Sequence, residues 1–478
     1  MKRIILTIIT SLLISTIVTK ENPNFVYQLL ANGKHFEDKG DNNKAIDYYT
    51  LAESYDQKNI DAKLLLASVL TEKKEYQKAE KIAKKATELQ PKSFKALMLY
   101  AEVLELKDKL ADMALEHQTE IEKAQRFYEQ AFIINSHSRK AWHKVGMTAL
   151  RQHDFAKSIA INKYMDLAYP GLKGTKINLS IAYLTLGNYP EAVVWQKKAG
   201  NNAPLLTKEN LNGKKVAFYA TGGFGDTMHF IRYAKLAKDK GAYIIIYSKG
   251  HGCLKKLISN CPFIDEIREH PADLSDADYK LGLVDGILSF ELTVDTIPAD
   301  IPYLFADEKL VKKWQTKFES DKNFKIGLCW NGSAAADLRS IPIESFAALS
   351  EIPGISFYSL HMNKDDSKTV DTGNPNFIVN RLGKDFDKKN GAFMDTAAVM
   401  KNLNLIITID TSIAHLAGAL GLDVWTILPF ETEWRWMLER KDTPWYPQMK
   451  LFRQEKTFVW KPVIQEVKIA LKEHMKNR

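Results

Sequence analysis

At 478 residues, with 45% apolar and 26% charged side chains, the chain has an ordinary globular composition and is too long for one core, so two or three domains are expected. Its formal charge of +9 is spread over many lysines without an aromatic-interleaved basic stripe, which argues against nucleic acid and leaves a mild preference for anionic ligands. Three cysteines (Cys253, Cys261, Cys329) make no disulfide framework, and no Cys/His cluster has zinc spacing, so no structural metal is expected. The chain opens with basic Met1-Lys2-Arg3 and an uncharged run, Ile4–Val18. That run matches a signal-peptide core and is short for a spanning helix. A cleaved signal, an uncleaved membrane anchor within residues 1–22 and a mis-assigned start codon all remain open. The positive-inside tendency would leave the rest of the chain outside.

A period of 34 residues runs through roughly residues 24–200. Its clearest copy, Ile60–Ser93, carries Leu66, Ala67, Leu70, Tyr76, Ala79, Ala83, Ala86 and Pro91 at helix–turn–helix spacing. Small residues at Ala67, Ala79 and Ala86 let paired helices approach, and Pro91 stops the second helix. The preceding copy has Gly33, Phe36, Ala45, Tyr49 and Ala52; later copies have Ala101 with Tyr128, Trp142 with Phe155, and Tyr183 with Tyr189. The third copy holds extra residues between Asp108 and Lys123, and the fourth has Ser158 where Ala is usual. Five copies in phase resemble the tetratricopeptide family, which implies an α-solenoid holding a peptide or protein on its concave face. A purely structural extension is the other reading. The histidines here (His117, His137, His143, His153) sit at no ligand spacing.

Past Ala203-Pro204 the repeats stop, and Asn210–Gly213 reads as a linker. Lys215–Ala220 is a predicted strand, followed by Thr221-Gly222-Gly223-Phe224-Gly225-Asp226 and a helical pattern over Met228–Lys238. Glycines between strand and helix allow an anionic or sugar ligand close to the backbone, although neither a P-loop nor a full GxGxxG is present. Further strands are expected at Ala242–Tyr247 and Phe263–Ile267, with another strand end at Asp285–Phe290 and a helix at Glu308–Phe318. A second lobe begins with the strand Phe324–Trp330. It continues through the helix Ile343–Leu349, strands Ile355–Leu360 and Phe377–Asn380, and the helix Ala397–Lys401. Leu405–Leu420 reads strand, sharp turn, helix, and a strand follows at Val424–Leu428. Such alternation predicts parallel α/β lobes whose ligands lie beyond the carboxyl ends of the strands. That rule gathers Asn331, Arg339, His361, Asp410, Thr411, Ser412 and His415 at one rim. The plainer alternative is a β-α unit in which Asp410 and Ser412 only cap.

The pieces GLCWNGS, RSIP, DTSIAHLAGALG and VWTILPFETEWRWMLERKDTPWYPQMKLFRQ over residues 324–454, with GGFGDTMHFIRYAKL at 222–236, resemble the heptosyltransferase-like glycosyltransferases of family 9. The last block resembles the bacterial version fused behind tetratricopeptide repeats; a more distant analogue is O-linked N-acetylglucosamine transferase. The resemblance implies a GT-B fold without bound metal or cofactor. Its acceptor lobe would be residues 213–321 and its nucleotide-sugar donor lobe 322–478, behind repeats at 23–203. It casts Asp226, in the loop of Gly223 and Gly225, as the base toward an acceptor hydroxyl. It casts Asp410, Thr411, Ser412 and His415 as the donor diphosphate site, with Arg339 as a cationic arm. Asp226 could equally be a helix cap and Arg339 a surface residue, and the aromatics at 434–436 and 445–446 suit packing more than base stacking. Ser333–Leu338 is poor in the polar residues usual there, which points to altered donor choice or a dead enzyme. The expected function is sugar transfer from a nucleotide sugar to a protein or glycan acceptor, inverting and metal-independent. The rivals are a non-catalytic tetratricopeptide scaffold with a degenerate GT-B module and a strict lipopolysaccharide-core heptosyltransferase. Nucleotide sugars favour the cytoplasm, against the exported or anchored location that the N-terminus suggests.

Overall fold

A computed structural model describes residues 23–108, 118–248, 250–270, 274–332, 339–362, 367–457 and 459–476. The expected signal or anchor over 1–22 and the polar-poor Ser333–Leu338 segment lie outside the described residues. Among those described, no helix is long and apolar enough to cross a membrane. The chain forms two compact units that part between Thr148 and Ala149.

The repeats are helix pairs: α1 Pro23–Asp38, α2 Asn42–Tyr55, α3 Ile60–Glu72, α4 Tyr76–Leu89, α5 Phe94–Asp108, α6 Gln118–Ile134, α7 Arg139–Arg151, α8 Phe155–Ala168, α9 Lys173–Thr185 and α10 Tyr189–Lys198. Side chains of Asp41, Asn59, Asp154 and Asn188 accept from backbone N–H groups at the starts of α2, α3, α8 and α10. The periodic alanines at 45, 52, 67, 79, 83 and 86 are fully buried, which is what close helix approach requires. Gly33 answers Tyr49: a Cβ on Gly33 would stand 2.4 Å from the Tyr49 ring. In the third copy α6 runs to 17 residues, longer than its partners in the other pairs, which accounts for part of the extra length. Ser158, at the alanine position of α8, is wholly buried and its backbone carbonyl accepts from Asn162 at 2.8 Å.

The second unit, from residue 149 onward, contains α8–α10 together with the α/β region, so the unit boundary falls inside α7 and not at the end of the repeats. Leu184, Tyr189, Ala192 and Val193 of the last pair share one apolar core with strands and helices of that region. Two parallel sheets build it. The first, in order β3-β2-β1-β4, uses β1 Lys215–Tyr219, β2 Tyr243–Tyr247, β3 Glu266–Arg268 and β4 Tyr279–Gly282. The second, in order β10-β9-β8-β5-β6-β7, uses β5 Phe324–Cys329, β6 Ile355–Ser359, β7 Val379–Asn380, β8 Leu405–Ile409, β9 Val424–Leu428 and β10 Met449–Arg453. β8 and β9 are buried at every position, as continuous apolar runs in a two-sided parallel sheet must be.

Between the strands run α11 Phe224–Phe230, α12 Arg232–Asp239, α13 Lys255–Ser259, α14 Gly286–Ser289, α15 Glu308–Phe318, α16 Met394–Met400 and α17 Ser412–Ala419; α18 Trp460–Lys476 closes the chain. Three local expectations change. The helix expected from Met228 starts at Phe224 and is interrupted at Ile231. Asp285–Phe290 is not a strand end: the Asp285 carboxylate accepts from the Gly282 N–H at 3.0 Å and turns the chain into α14. Ile343–Glu351 is a 3₁₀ segment, not an α-helix.

Candidate functional site

The loops that follow β1, β2, β5, β8 and β9 converge on a cleft of about 630 Å³ in the second unit. It is bordered by Gly222–Asp226, Gly250 and His251 from the first sheet, and by Arg339, Asp410–Ser412, His415, Glu433 and Arg435 from the second. Each loop leaves the carboxyl end of its strand, where parallel sheets bind ligands.

On one wall, Gly222 takes φ +83°, a left-handed value that glycine adopts without strain. A Cβ there would lie 2.3 Å from Asp226 Oδ2. That oxygen accepts from the Gly223 N–H at 2.6 Å, so Asp226 caps α11. The other carboxylate oxygen, Oδ1, pairs with Arg435 Nη2. Asp226 thus remains partly exposed (30%) in the cleft with both oxygens engaged, although each carboxylate oxygen has a second lone pair. His251 Nε2 lies 3.1 Å from the Gly222 carbonyl and holds the loop from behind.

On the opposite wall, β8 turns at Asp410 into α17. Thr411 is the N-cap, its hydroxyl accepting from the Ile413 N–H at 3.3 Å. In the first turn of α17 the Ile413 N–H goes to the Thr411 hydroxyl and the Ala414 N–H to the Thr411 carbonyl at 3.0 Å, and the helix dipole adds partial positive charge at this end. Asp410 is buried, and burial first, then the Glu433 charge, pushes its carboxyl up to about 6 against the pull of Arg339 and Arg435. Such a carboxyl repels a diphosphate unless protonated, so within this cluster the anion-binding chemistry lies with Thr411, Ser412, His415 and the arginines.

Arg435 is 7% exposed, stacks on Phe230 and Trp434 and pairs with both Glu433 and Asp226. Burial works against its charge, but the two carboxylates outweigh that and hold its pKa above the ordinary value. The aromatics of Trp434-Arg435-Trp436 are expected to pack, and Trp436 does; the arginine between them reaches the cleft. A charged residue between two tryptophans was the signal available in the sequence. His415 lies with its ring stacked on Trp436 (5.3 Å, 12°) and its Nδ1 3.0 Å from the Tyr446 hydroxyl. Its pKa is well below the usual value because it is buried and faces Arg435, Arg232 and Arg339.

The cleft therefore brings together Gly223, Gly225, Asp226, Arg339, Asp410, Thr411, Ser412 and His415. It does not include Asn331 or His361. The Asn331 amide lies 3.3 Å from the backbone oxygen and indole nitrogen of Trp330. His361 Nε2 accepts from the Trp330 N–H at 3.2 Å with its ring edge-on to the indole. Burial, with Arg381 nearby, takes the His361 pKa down to about 4, so it is a fixed neutral acceptor at the end of β6. Among the described residues, no group of three or more His, Cys, Asp and Glu could hold a metal ion.

Residues 37–103 match the tetratricopeptide repeat family. The N-terminal region is a tetratricopeptide array. A curated relative, Protein FlbA of Caulobacter vibrioides, is 24% identical over 205 residues, 41% of this chain; the chain spans about a third (33%) of that relative's length. Among solved structures, MamA is 22% identical with a TM-score of 0.33, covering 36% of this chain and 89% of MamA. YrrB, a TPR protein with an unusual peptide-binding site, is 16% identical with a TM-score of 0.31, covering 36% of this chain and 82% of YrrB. A thermophilic TPR protein of Thermus thermophilus is 18% identical with a TM-score of 0.30, covering 36% of this chain and 89% of its own.

Proposed function

We propose that the α/β region is a GT-B-type glycosyltransferase acting on a nucleotide sugar, and that the repeats recruit a protein or glycan acceptor. The observation that carries this reading is the cleft itself. A carboxylate on the first-sheet wall, Asp226, faces a second-sheet wall bearing a helix N-terminus, Arg339, Arg435 and His415. The two walls suit the two halves of a transfer. The acceptor oxygen bonds to the anomeric carbon as the sugar–phosphate bond breaks; the acceptor proton goes to Asp226 and the negative charge to the departing diphosphate. The positive end of the α17 dipole, the arginines and His415 meet that charge. Two parallel sheets with facing carboxyl ends fit two Rossmann-like lobes.

A second reading has its own observation. Asp226 is already committed to capping α11 and pairing with Arg435, which suits a retired site in a tetratricopeptide scaffold. Consumption of ADP- and UDP-sugars by the purified protein decides, with Asp226→Ala and His415→Ala as controls. The transferase reading expects turnover that both changes reduce by at least about 100-fold. Absence of any nucleotide or nucleotide-sugar binding sinks it and leaves the scaffold.

A further inference from the structure

Beneath the cleft lies a buried polar network of which the proposed transfer uses only His415. The Tyr446 hydroxyl sits 2.9 Å from His229 Nδ1, 3.0 Å from His415 Nδ1 and 3.3 Å from the Tyr303 hydroxyl. Arg232 donates to the Tyr303 hydroxyl at 2.7 Å, to the His229 carbonyl at 2.8 Å and to the Trp445 carbonyl at 2.7 Å. Gly418 makes room for the Tyr446 ring, since a Cβ there would lie 2.4 Å from its Cδ1. Both imidazoles are neutral: each is buried beside Arg232 and Arg435, which holds their pKa values well below the usual range.

A phenol has one hydrogen, so Tyr446 donates to one neighbour only. Two bare Nδ1 atoms would leave one of the two close contacts as lone pair against lone pair, so at least one Nδ1 is protonated. His229 Nε2 is buried with no hydrogen-bond partner among the described residues. Its proton therefore belongs on Nδ1, where it has an acceptor, because a buried N–H without a partner is the rarer and costlier arrangement. His229 then donates to Tyr446. The Tyr446 hydrogen is left with His415 Nδ1 at 3.0 Å or the Tyr303 oxygen at 3.3 Å. The imidazole nitrogen is closer and the stronger base. Tyr303, already accepting from Arg232, keeps its own hydrogen for the His229 carbonyl or Tyr446.

We propose that Tyr446 is a positioning residue that holds His415 as its Nε2–H tautomer, making His415 a hydrogen-bond donor to an anion in the cleft and not a proton acceptor. The ring stacked on Trp436 fixes its plane, and Gly225 lies over the ring edge, where a Cβ would be 3.0 Å from Cδ2, the carbon next to Nε2. The identity of the anion, a diphosphate, rests on the transferase reading; the tautomer does not.

The test is ¹⁵N NMR of the full chain labelled at histidine, with the His415 signals assigned by their loss in His415→Gln. Long-range couplings should report His415 protonated at Nε2, with a shift toward Nδ1 protonation in Tyr446→Phe. A His415 protonated at Nδ1 in the unaltered protein overturns the proposal, whatever the variants do. Inorganic diphosphate binding is the second measurement. Tyr446→Phe should weaken it about tenfold, the scale of one hydrogen bond to a charged group, and should have no further effect in a His415→Gln background, where no tautomer exists. An equal loss in both backgrounds would make Tyr446 merely structural. If the unaltered protein binds no diphosphate while its His415 carries Nε2–H, the tautomer stands and the donor-site reading falls.

Discussion

Single residues in the cleft carry more than one duty, which makes their substitutions informative. Gly222 serves both its left-handed backbone and the Asp226 carboxylate beside it. Gly222→Ala should lower stability by about 1–3 kcal/mol and also displace Asp226; a thermal unfolding midpoint and a nucleotide-sugar turnover measurement should fall together. Asp410 makes a separate, pH-dependent prediction. Its folded carboxyl is raised to about 6 by burial and Glu433, so its contribution to stability is fully present below the unfolded value near 3.8 and is lost as pH rises through 6. Asp410→Asn removes that loss. Urea denaturation of both proteins should show the Asn variant gaining on the parent by up to about 3 kcal/mol between pH 4 and pH 7, and an unchanged difference would contradict the raised pKa.

At the scale of elements, the site depends on α11 lying against the first turn of α17. Gly225 sets that approach: a Cβ would meet His415 Cδ2 at 3.0 Å and Ser412 Cα at 3.4 Å. Its φ is not in the left-handed region, so Gly225→Ala strains packing and not backbone. A stability loss of about 1 kcal/mol with a clearly larger loss of diphosphate affinity, read by calorimetric titration, is expected. Strand–turn–helix at 405–420 was legible because an unbroken apolar run, three small polar residues and a second apolar run leave few local alternatives. The strand end expected at Asp285–Phe290 is a helix because its apolar Ile287, Leu288 and Phe290 have strand-like composition but the Asp285 carboxylate turns back on the Gly282 N–H. The break at Ile231 between α11 and α12 had no local sign; it accompanies Arg232 turning inward to three carbonyls and Tyr303.

At the scale of the second unit, the segment after β9 links the last repeats to the cleft. Arg151 donates to both Glu431 oxygens at 2.8 and 2.9 Å, His153 stacks on Phe430 at 4.5 Å, and Tyr189 meets Trp434 edge-on. The same segment carries Glu433 and Arg435 into the site. Arg151→Glu should raise the KM for nucleotide sugar several-fold although it lies outside the cleft, and the charge-reversed pair Arg151→Glu with Glu431→Arg should recover part of the loss. A loss that the reversed pair does not recover would place the effect in Arg151 itself and not in the pair.

The sequence by itself determined the repeats, the parallel character of the strands, and the loop and helix start that line the cleft. Each is written in local terms: a 34-residue period of alanines and aromatics, β-branched runs without alternation, and Gly, Ser and Thr at turns. Only the tertiary structure decided which rim residues share the cleft. Asn331 and His361 end strands like the others, yet they close on Trp330, whereas Arg435 enters the cleft from an aromatic triplet and Tyr446, from a distant turn, lies buried beneath it. The reason is physical. A strand end fixes where a backbone leaves the sheet, but the direction a side chain takes from there is set by what desolvates and pairs it, and those partners lie up to 217 positions away in the chain.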